Sequence, residues 1–168
     1  MQWKIAKRQA KLQEQIALRQ TELQSQVAKR QAADNISAKR QVWIDELRKE
    51  VAEYLTLTAR LEELRRPSKG IDETDKKRNF DDLMDASKRA TELVIRIKLR
   101  LNPKEAEHNE FVRLLGALAE VCKDPSPDET EEERKAAQKE FGAARDKVIA
   151  HVQTILKHEW ERVKRGDL

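Results

Sequence analysis

The sequence has few residues that turn, cross-link or stack a chain. It contains four glycines, four prolines and a single cysteine, Cys122, and aromatic residues make up 4% of it. One cysteine excludes an intrachain disulfide and a cysteine-based metal site, and it fits a reducing compartment. So few aromatic residues exclude a β-sandwich and a nucleic-acid platform built on stacked rings.

Long apolar runs are also missing. No run of apolar residues reaches five, whereas a membrane-spanning helix needs about 20. The N-terminus lacks the apolar core of a signal peptide. We therefore expect a protein of the cytoplasm.

Charge and helix-forming residues are abundant instead. Charged residues make up 39% of the chain and hydrophobic residues 38%, a composition typical of long helices and coiled coils. Strand patterns are absent, and three segments rich in turn residues interrupt the helical periodicity, at 65–75, 101–105 and 124–129. In the last two, Asn102 and Ser126 are the expected N-caps, each followed by a proline. The predicted helices span residues 3–66, 75–101, 103–122 and 127–165.

Apolar residues recur at steps of three and four from residue 42 to the end, which predicts amphipathic helices that bury one face each. We therefore predict an all-α fold, in which a long N-terminal helix leads into a four-helix bundle of residues 42–166. Residues 1–41 would project from the bundle as a stalk. Phe80 and Met84 are expected in the core, with Trp43 and Trp160 as its anchors.

A repeat of eleven residues runs along the stalk. The tetrapeptide A-[KL]-R-Q occurs three times in residues 5–31 at this interval. Because eleven residues turn about 20° beyond three full turns, the copies lie nearly on one face and predict a straight or weakly right-handed coiled coil. Glutamine layers in such a contact would fix its register. The predicted oligomer seam consists of Ile5, Gln9, Leu12, Ile16, Gln20, Leu23, Val27 and Gln31.

The stalk is also basic, which leaves a second interpretation open. Residues 1–41 hold nine Lys and Arg against three acids, a net charge of +6, and the rest of the chain carries −2 because the whole carries +4. A cationic arm can bind nucleic acid or an anionic membrane surface. These charges spread around the predicted helix, so we expect such binding to be weak or absent. The possible anion contacts are Lys4, Lys7, Arg8, Lys11, Arg19, Lys29, Arg30, Lys39 and Arg40.

Residue patterns of known catalytic chemistry are missing. The sequence has no glycine-rich phosphate loop, no Ser-His-Asp set and no H-E-x-x-H motif. His151 and His158 are seven residues apart, too far for a metal pair on one helical turn, and Cys122 reads as a small core residue. We therefore predict no enzyme activity, no metal and no cofactor. The predicted function is that of a self-associating helical scaffold or adaptor.

The partner predicted first is the chain itself, in a parallel homo-oligomer, and another protein is a further partner to consider. The alternative function is that of a nucleic-acid-binding accessory protein that uses the basic arm.

Three segments resemble a group of uncharacterised bacterial helical proteins. They are "ISAKRQVWIDELRKEVAEYL" (36–55), "RIKLRLNPKEAEHNEFVRLL" (96–115) and "ILKHEWERVKRG" (155–166). Members of that group often carry a transmembrane helix just before the R-Q-x-W-I segment, with the helical domain in the cytoplasm. Here a charged repeat stands in that place, so the resemblance implies the bundle without the membrane anchor, and it implies no activity.

Overall fold

The computed structural model describes residues 2–65, 72–122 and 129–165, with the side chains of residues 2 and 4–6 excepted. The predicted all-α fold is confirmed, and these residues include no strand. The four helices are α1 (Gln2–Arg65), α2 (Glu73–Arg100), α3 (Ala106–Val121) and α4 (Glu131–Arg165).

The first helix extends far beyond the rest of the molecule. α1 has 64 residues, so it is roughly 95 Å long at 1.5 Å per residue. Its first buried side chain among the described residues is Ile44. From there, residues at steps of three and four enter the core, and each buried apolar side chain contributes roughly 1.5–3 kcal/mol to folding. The buried residues of this stretch are Ile44, Leu47, Glu50, Val51, Tyr54, Thr58, Leu61 and Leu64.

The second half of α1 and the other three helices form a four-helix bundle. α2 packs along α1, α1 along α4, and α4 along α3. Leu47, Leu93, Phe111 and Val148, one from each helix, are completely buried. α2 and α3 make little direct contact beyond the turn that joins them. A groove therefore runs between these two helices.

The start of α3 differs from the prediction. Asn102 does not cap the helix, because α3 begins at Ala106 and its N-cap residue is Glu105, which makes no side-chain capping bond. The Oδ1 of Asn102 instead accepts the main-chain N–H of Lys104 at 3.1 Å, and its carbonyl oxygen accepts that of Glu105 at 3.1 Å. Asn102 thus folds a turn of its own, which competes with helix formation at this position.

The start of α4 also lies later than predicted. Ser126, the expected cap, lies outside the described residues, and α4 begins at Glu131. The main-chain N–H of Thr130 donates to Glu133 Oε2 at 2.8 Å, and that of Glu133 donates to Thr130 Oγ1 at 3.2 Å. These reciprocal bonds are a capping box. Its signature, T-E-E-E at 130–133, was present in the sequence.

Three aromatic or apolar side chains expected in the core lie at the surface. Trp160 is 45% exposed, with Lys164 Nζ 3.5 Å from the ring centroid. Glu159 takes the core position beside it, because it follows Ile155 by four residues and so lies on the same face of α4. On α2, Phe80 and Met84 are exposed as well. The face of α2 that packs on the bundle consists of Ala86, Ala90, Leu93 and Ile97.

Candidate functional sites: the stalk seam and its junction with the bundle

The predicted seam lies uncovered along α1. Leu12, Ile16, Leu23 and Val27 are between 52% and 61% exposed. The seam glutamines are exposed too. The side chain of Ile5 lies outside the described set. α1 is continuous from Gln2 to Arg65, so the eleven-residue spacing does place these residues on one face of one helix.

The basic residues of the stalk occupy one side of the helix. At 100° per residue their positions fall within roughly half of the circumference, next to the seam. This corrects the expectation that they spread around it. Arg40 is not available as an anion contact in the same way, because it pairs with the bundle, and the side chain of Lys4 is not described. The exposed cations are Lys7, Arg8, Lys11, Arg19, Lys29, Arg30 and Lys39.

Arg40 ties the base of the stalk to α4. Its Nε lies 3.2 Å from Oε2 of Glu159, and the two side chains are only 22% and 11% exposed. Arg162 donates to the other carboxylate oxygen of Glu159 at 2.7 Å. A carboxylate buried to this extent needs such partners, since an unpaired buried charge is costly. The predicted site did not include Glu159. Its position four residues after Ile155, on the apolar side of α4, was a sign in the sequence that this glutamate is buried.

Trp43 and Arg100 tie the same region to α2. The indole N–H of Trp43 donates to the carbonyl oxygen of Arg100 at 3.0 Å. Arg100 donates from Nε and Nη2 to the two carboxylate oxygens of buried Glu50, at 2.7 Å and 3.0 Å. These bonds raise the pKa of Arg100 above its ordinary value. A two-point contact of this kind fixes direction as well as distance.

The turn between α2 and α3 completes the junction. The main-chain N–H of Asn102 donates to Nδ1 of His108 at 2.9 Å, so the ring hydrogen of neutral His108 resides on Nε2. That nitrogen lies 3.6 Å from the carboxylate of Glu105. The ring of His108 also faces Trp43, with centroids 6.1 Å apart. His108 is therefore a buried residue that orders the turn.

These contacts bring together the three segments on which the family resemblance rests. We call their meeting place the junction cluster. It surrounds a shallow recess of about 380 Å³. Arg40 and Arg162 pair with glutamates of the cluster, and Arg100 pairs with Glu50 beside it. Chemically, the arrangement can fix the direction in which the stalk leaves the bundle. The cluster consists of Arg40, Trp43, Arg100, Asn102, Glu105, His108, Glu159 and Arg162.

The other two histidines also contact the first turn of α3. His151 Nε2 donates to the carbonyl oxygen of Glu107 at 2.7 Å, and Nδ1 of His158 lies 3.0 Å from the carboxylate of Glu107. Both therefore join α4 to α3. Within the described ranges, no three His, Cys, Asp or Glu side chains lie together as a metal site would need.

The groove between α2 and α3 has a hydroxyl group at its base. It measures about 320 Å³, and its lining includes Tyr54, Thr58, Val94 and Cys122. The Tyr54 hydroxyl donates to the carbonyl oxygen of Leu115 at 3.4 Å. Burial, with a further contribution from Cys122, raises the pKa of Tyr54 to about 12. Cys122 is buried, as predicted for a small core residue.

Comparison with protein-family models, with curated proteins and with solved structures finds no match to the chain. Across residues 2–65, 72–122 and 129–165, no helix has the length and apolar character that a membrane span requires.

Proposed function

We propose that the protein is a self-associating helical scaffold or adaptor of the cytoplasm, which acts by binding and not by catalysis. The stalks of two or more chains pack in parallel along the seam, and each carries a bundle at one end. The observation that carries this proposal is the exposure of Leu12, Ile16, Leu23 and Val27 on one face of a helix that no described part of its own chain covers.

The energetics favour a partner for the stalk. A helix of about 40 residues without tertiary support frays, because most helical stability in proteins comes from packing of an apolar face. Fully burying each apolar seam residue would contribute roughly 1.5–3 kcal/mol. The cations lie to one side of the seam, so parallel stalks can keep them in water. In the parallel arrangement each seam glutamine meets its own copy, and amide can pair with amide.

The junction cluster supports the role of a scaffold. Arg40 and Trp43, at the base of the stalk, are bonded to α4 and α2 respectively. Because both contacts are directional, the bundle would hold a defined angle to the stalk. In an oligomer, that would set the spacing between the bundles.

Sedimentation of the full chain at tens of micromolar tests the proposal. Wild type should exceed the mass of one chain, and the double variant Ile16→Asp/Leu23→Asp should lose the stalk contact while the bundle stays folded. Leu18→Asp is the matched control, because Leu18 is a stalk residue that is 65% exposed but points away from the seam. A monomeric wild type, or equal loss of mass in the control, would contradict the proposal.

The alternative function is that of a nucleic-acid-binding accessory protein that uses the basic arm. The placement of the cations on one side of the stalk favours this alternative. A cationic face could follow a phosphate backbone while the seam stays free. With a net charge of +6 in residues 1–41, we expect weak, non-specific binding with a steep salt dependence.

Anisotropy of a labelled DNA duplex at two salt concentrations measures this binding. Lys7→Gln/Lys11→Gln/Lys29→Gln should flatten the salt dependence, and Gln24→Glu, which adds an acid at an exposed stalk position outside the arc of the cations, serves as a control for net charge. A sequence-selective, sub-micromolar complex at physiological salt would promote the alternative above the scaffold.

A further inference from the structure

The bundle presents one apolar surface that its own core does not use. Its exposed large apolar side chains lie on α2, apart from Trp160 on α4 and Val42 at the base of the stalk, within the described residues. Leu99 is the most exposed, at 82%. We call this surface the outer face of α2. It consists of Phe80, Met84, Ile95 and Leu99.

The outer face lies directly opposite the core. At 100° per residue, its four residues cluster about 180° from Ala86, Ala90, Leu93 and Ile97, which are buried. It extends over about 28 Å from Phe80 to Leu99 at 1.5 Å per residue. α1 packs on the other side of α2. A partner can therefore reach the outer face without displacing any part of the bundle.

The spacing of the outer face is the same from either end. Its four residues are separated by steps of 4, 11 and 4. Two copies of α2 packed antiparallel about a two-fold axis between Arg89 and Ala90 would place Phe80 opposite Leu99 of the second copy. Met84 would lie opposite Ile95 in the same way, and each contact would occur twice, as in any isologous interface.

The polar residues beside the outer face obey the same symmetry. Asp81 would lie opposite Lys98 of the second copy, so two oppositely charged pairs form across the axis. Lys88 lies within the face itself, between Met84 and Ile95, and would lie opposite Thr91 of the second copy. Asp81, Lys88 and Lys98 are exposed, and none of the three forms an ion pair with another described residue. Charge complementarity therefore points to the same partner as the apolar pattern.

We propose that α2 is a second self-association surface, on which two copies of the chain pack antiparallel about a two-fold axis. This α2 contact is separate from the stalk contact and does not depend on the stalk contact. If both contacts form, each chain has two different interfaces, and pairs joined at α2 would link stalk oligomers into larger assemblies.

The test uses the full chain with Ile16→Asp/Leu23→Asp, so that the stalk contact is removed. We expect sedimentation equilibrium up to hundreds of micromolar to show a monomer and a dimer. Adding Met84→Asp/Ile95→Asp should abolish the dimer. Because Met84 and Ile95 are exposed in the single chain, adding these two substitutions should leave the helicity measured by circular dichroism unchanged.

A charge exchange tests the antiparallel register. Asp81→Lys alone should weaken the dimer about tenfold, since two attractions become two repulsions. Asp81→Lys/Lys98→Asp should restore it. Within one helix, positions 81 and 98 are about 25 Å apart, so only contact between chains can produce this rescue. Glu140→Lys on α4 is the control for the change of net charge.

Three results would overturn the inference: a monomer throughout the concentration range, a dimer that survives Met84→Asp/Ile95→Asp, or a charge exchange without rescue. Each of them leaves the stalk proposal untouched, because that proposal is judged by comparing wild type with the seam variant and with Leu18→Asp. Conversely, if Ile16→Asp/Leu23→Asp has the same mass as wild type, the stalk proposal is contradicted. Met84→Asp/Ile95→Asp would still test the α2 contact in that case.

Discussion

The indole N–H of Trp43 donates a 3.0 Å hydrogen bond to the carbonyl oxygen of Arg100, the last residue of α2. The two residues are 57 positions apart in the chain. The bond joins the point where α1 leaves the bundle to the point where α2 ends. It also satisfies a carbonyl group that has no partner within its own helix.

Trp43→Phe should lower the free energy of unfolding by about 0.5–1.5 kcal/mol, because it removes this bond and keeps an aromatic ring against the core. Urea denaturation followed by circular dichroism measures the change. Trp160→Phe is the matched control, since Trp160 is 45% exposed and lies at the surface with Lys164 over its ring. Equal losses in the two variants would show that the Trp43 bond contributes nothing specific.

Glu159→Gln should destabilise the bundle by about 1–3 kcal/mol. The substitution keeps the shape of the side chain but removes the negative charge that lies 3.2 Å from the partly buried guanidinium of Arg40. Solvent access to Arg162, which is 43% exposed, keeps the loss below that of a fully buried pair. Denaturation of Glu140→Gln, at an exposed site on the same helix, provides the comparison. A loss no greater than in that variant would contradict the role of Glu159.

Stability should fall at high pH because of Tyr54. Its pKa is about 12 in the folded protein, against an ordinary value of 10.0, so the folded state holds the proton more tightly than the unfolded state. The resulting stabilisation, roughly 2–3 kcal/mol, is complete below pH 10 and is lost as the pH rises towards 12.

Tyr54 is the only tyrosine, so the ultraviolet absorbance of tyrosinate reports its ionisation directly. Tyr54→Phe should remove this part of the pH dependence. Cys122→Ala should lower the midpoint, since Cys122 contributes to the raised pKa. A tyrosinate signal with a midpoint near 10 in the folded chain would show that the hydroxyl is not buried.

Replacing the three seam glutamines, Gln9, Gln20 and Gln31, with isoleucine should stabilise the stalk assembly while loosening its choice of register or chain number. Each new apolar layer that becomes fully buried would contribute roughly 1.5–3 kcal/mol per side chain. Thermal denaturation measures the first effect and light scattering the second. Unchanged melting, with an unchanged mass, would mean that the glutamines do not lie in a contact between chains.

Local patterns in the sequence were sufficient to predict the four helices. Apolar residues at steps of three and four show the helical period, and Pro67, Gly70 and Pro103 interrupt it. The seam face of the stalk follows from sequence alone as well, because an eleven-residue spacing returns to nearly the same direction on any α-helix. Helix ends were less predictable, since both Asn102 and Thr130 can bond to the backbone, and only Thr130 does so as a cap.

The tertiary structure decided which apolar residues are buried. A sequence shows the apolar side of a helix but not how many neighbours cover that side. α2 packs chiefly against α1, and the small side chains of Ala86 and Ala90 face that contact. Phe80 and Met84, turned away from it, stay in water. Trp160 likewise lies on a side of α4 that no neighbouring helix covers fully, and Glu159 occupies the core position that was predicted for it.

The junction cluster is the clearest case of a site that the tertiary structure alone assembles. Arg40, Arg100 and Glu159 lie on three different helices, and the sequence offers no sign that they meet. Arg40 looked like one more solvated cation of the stalk. It is paired instead, because the bundle brings a buried carboxylate to within 3.2 Å of it, where the cost of an unpaired charge makes a partner necessary.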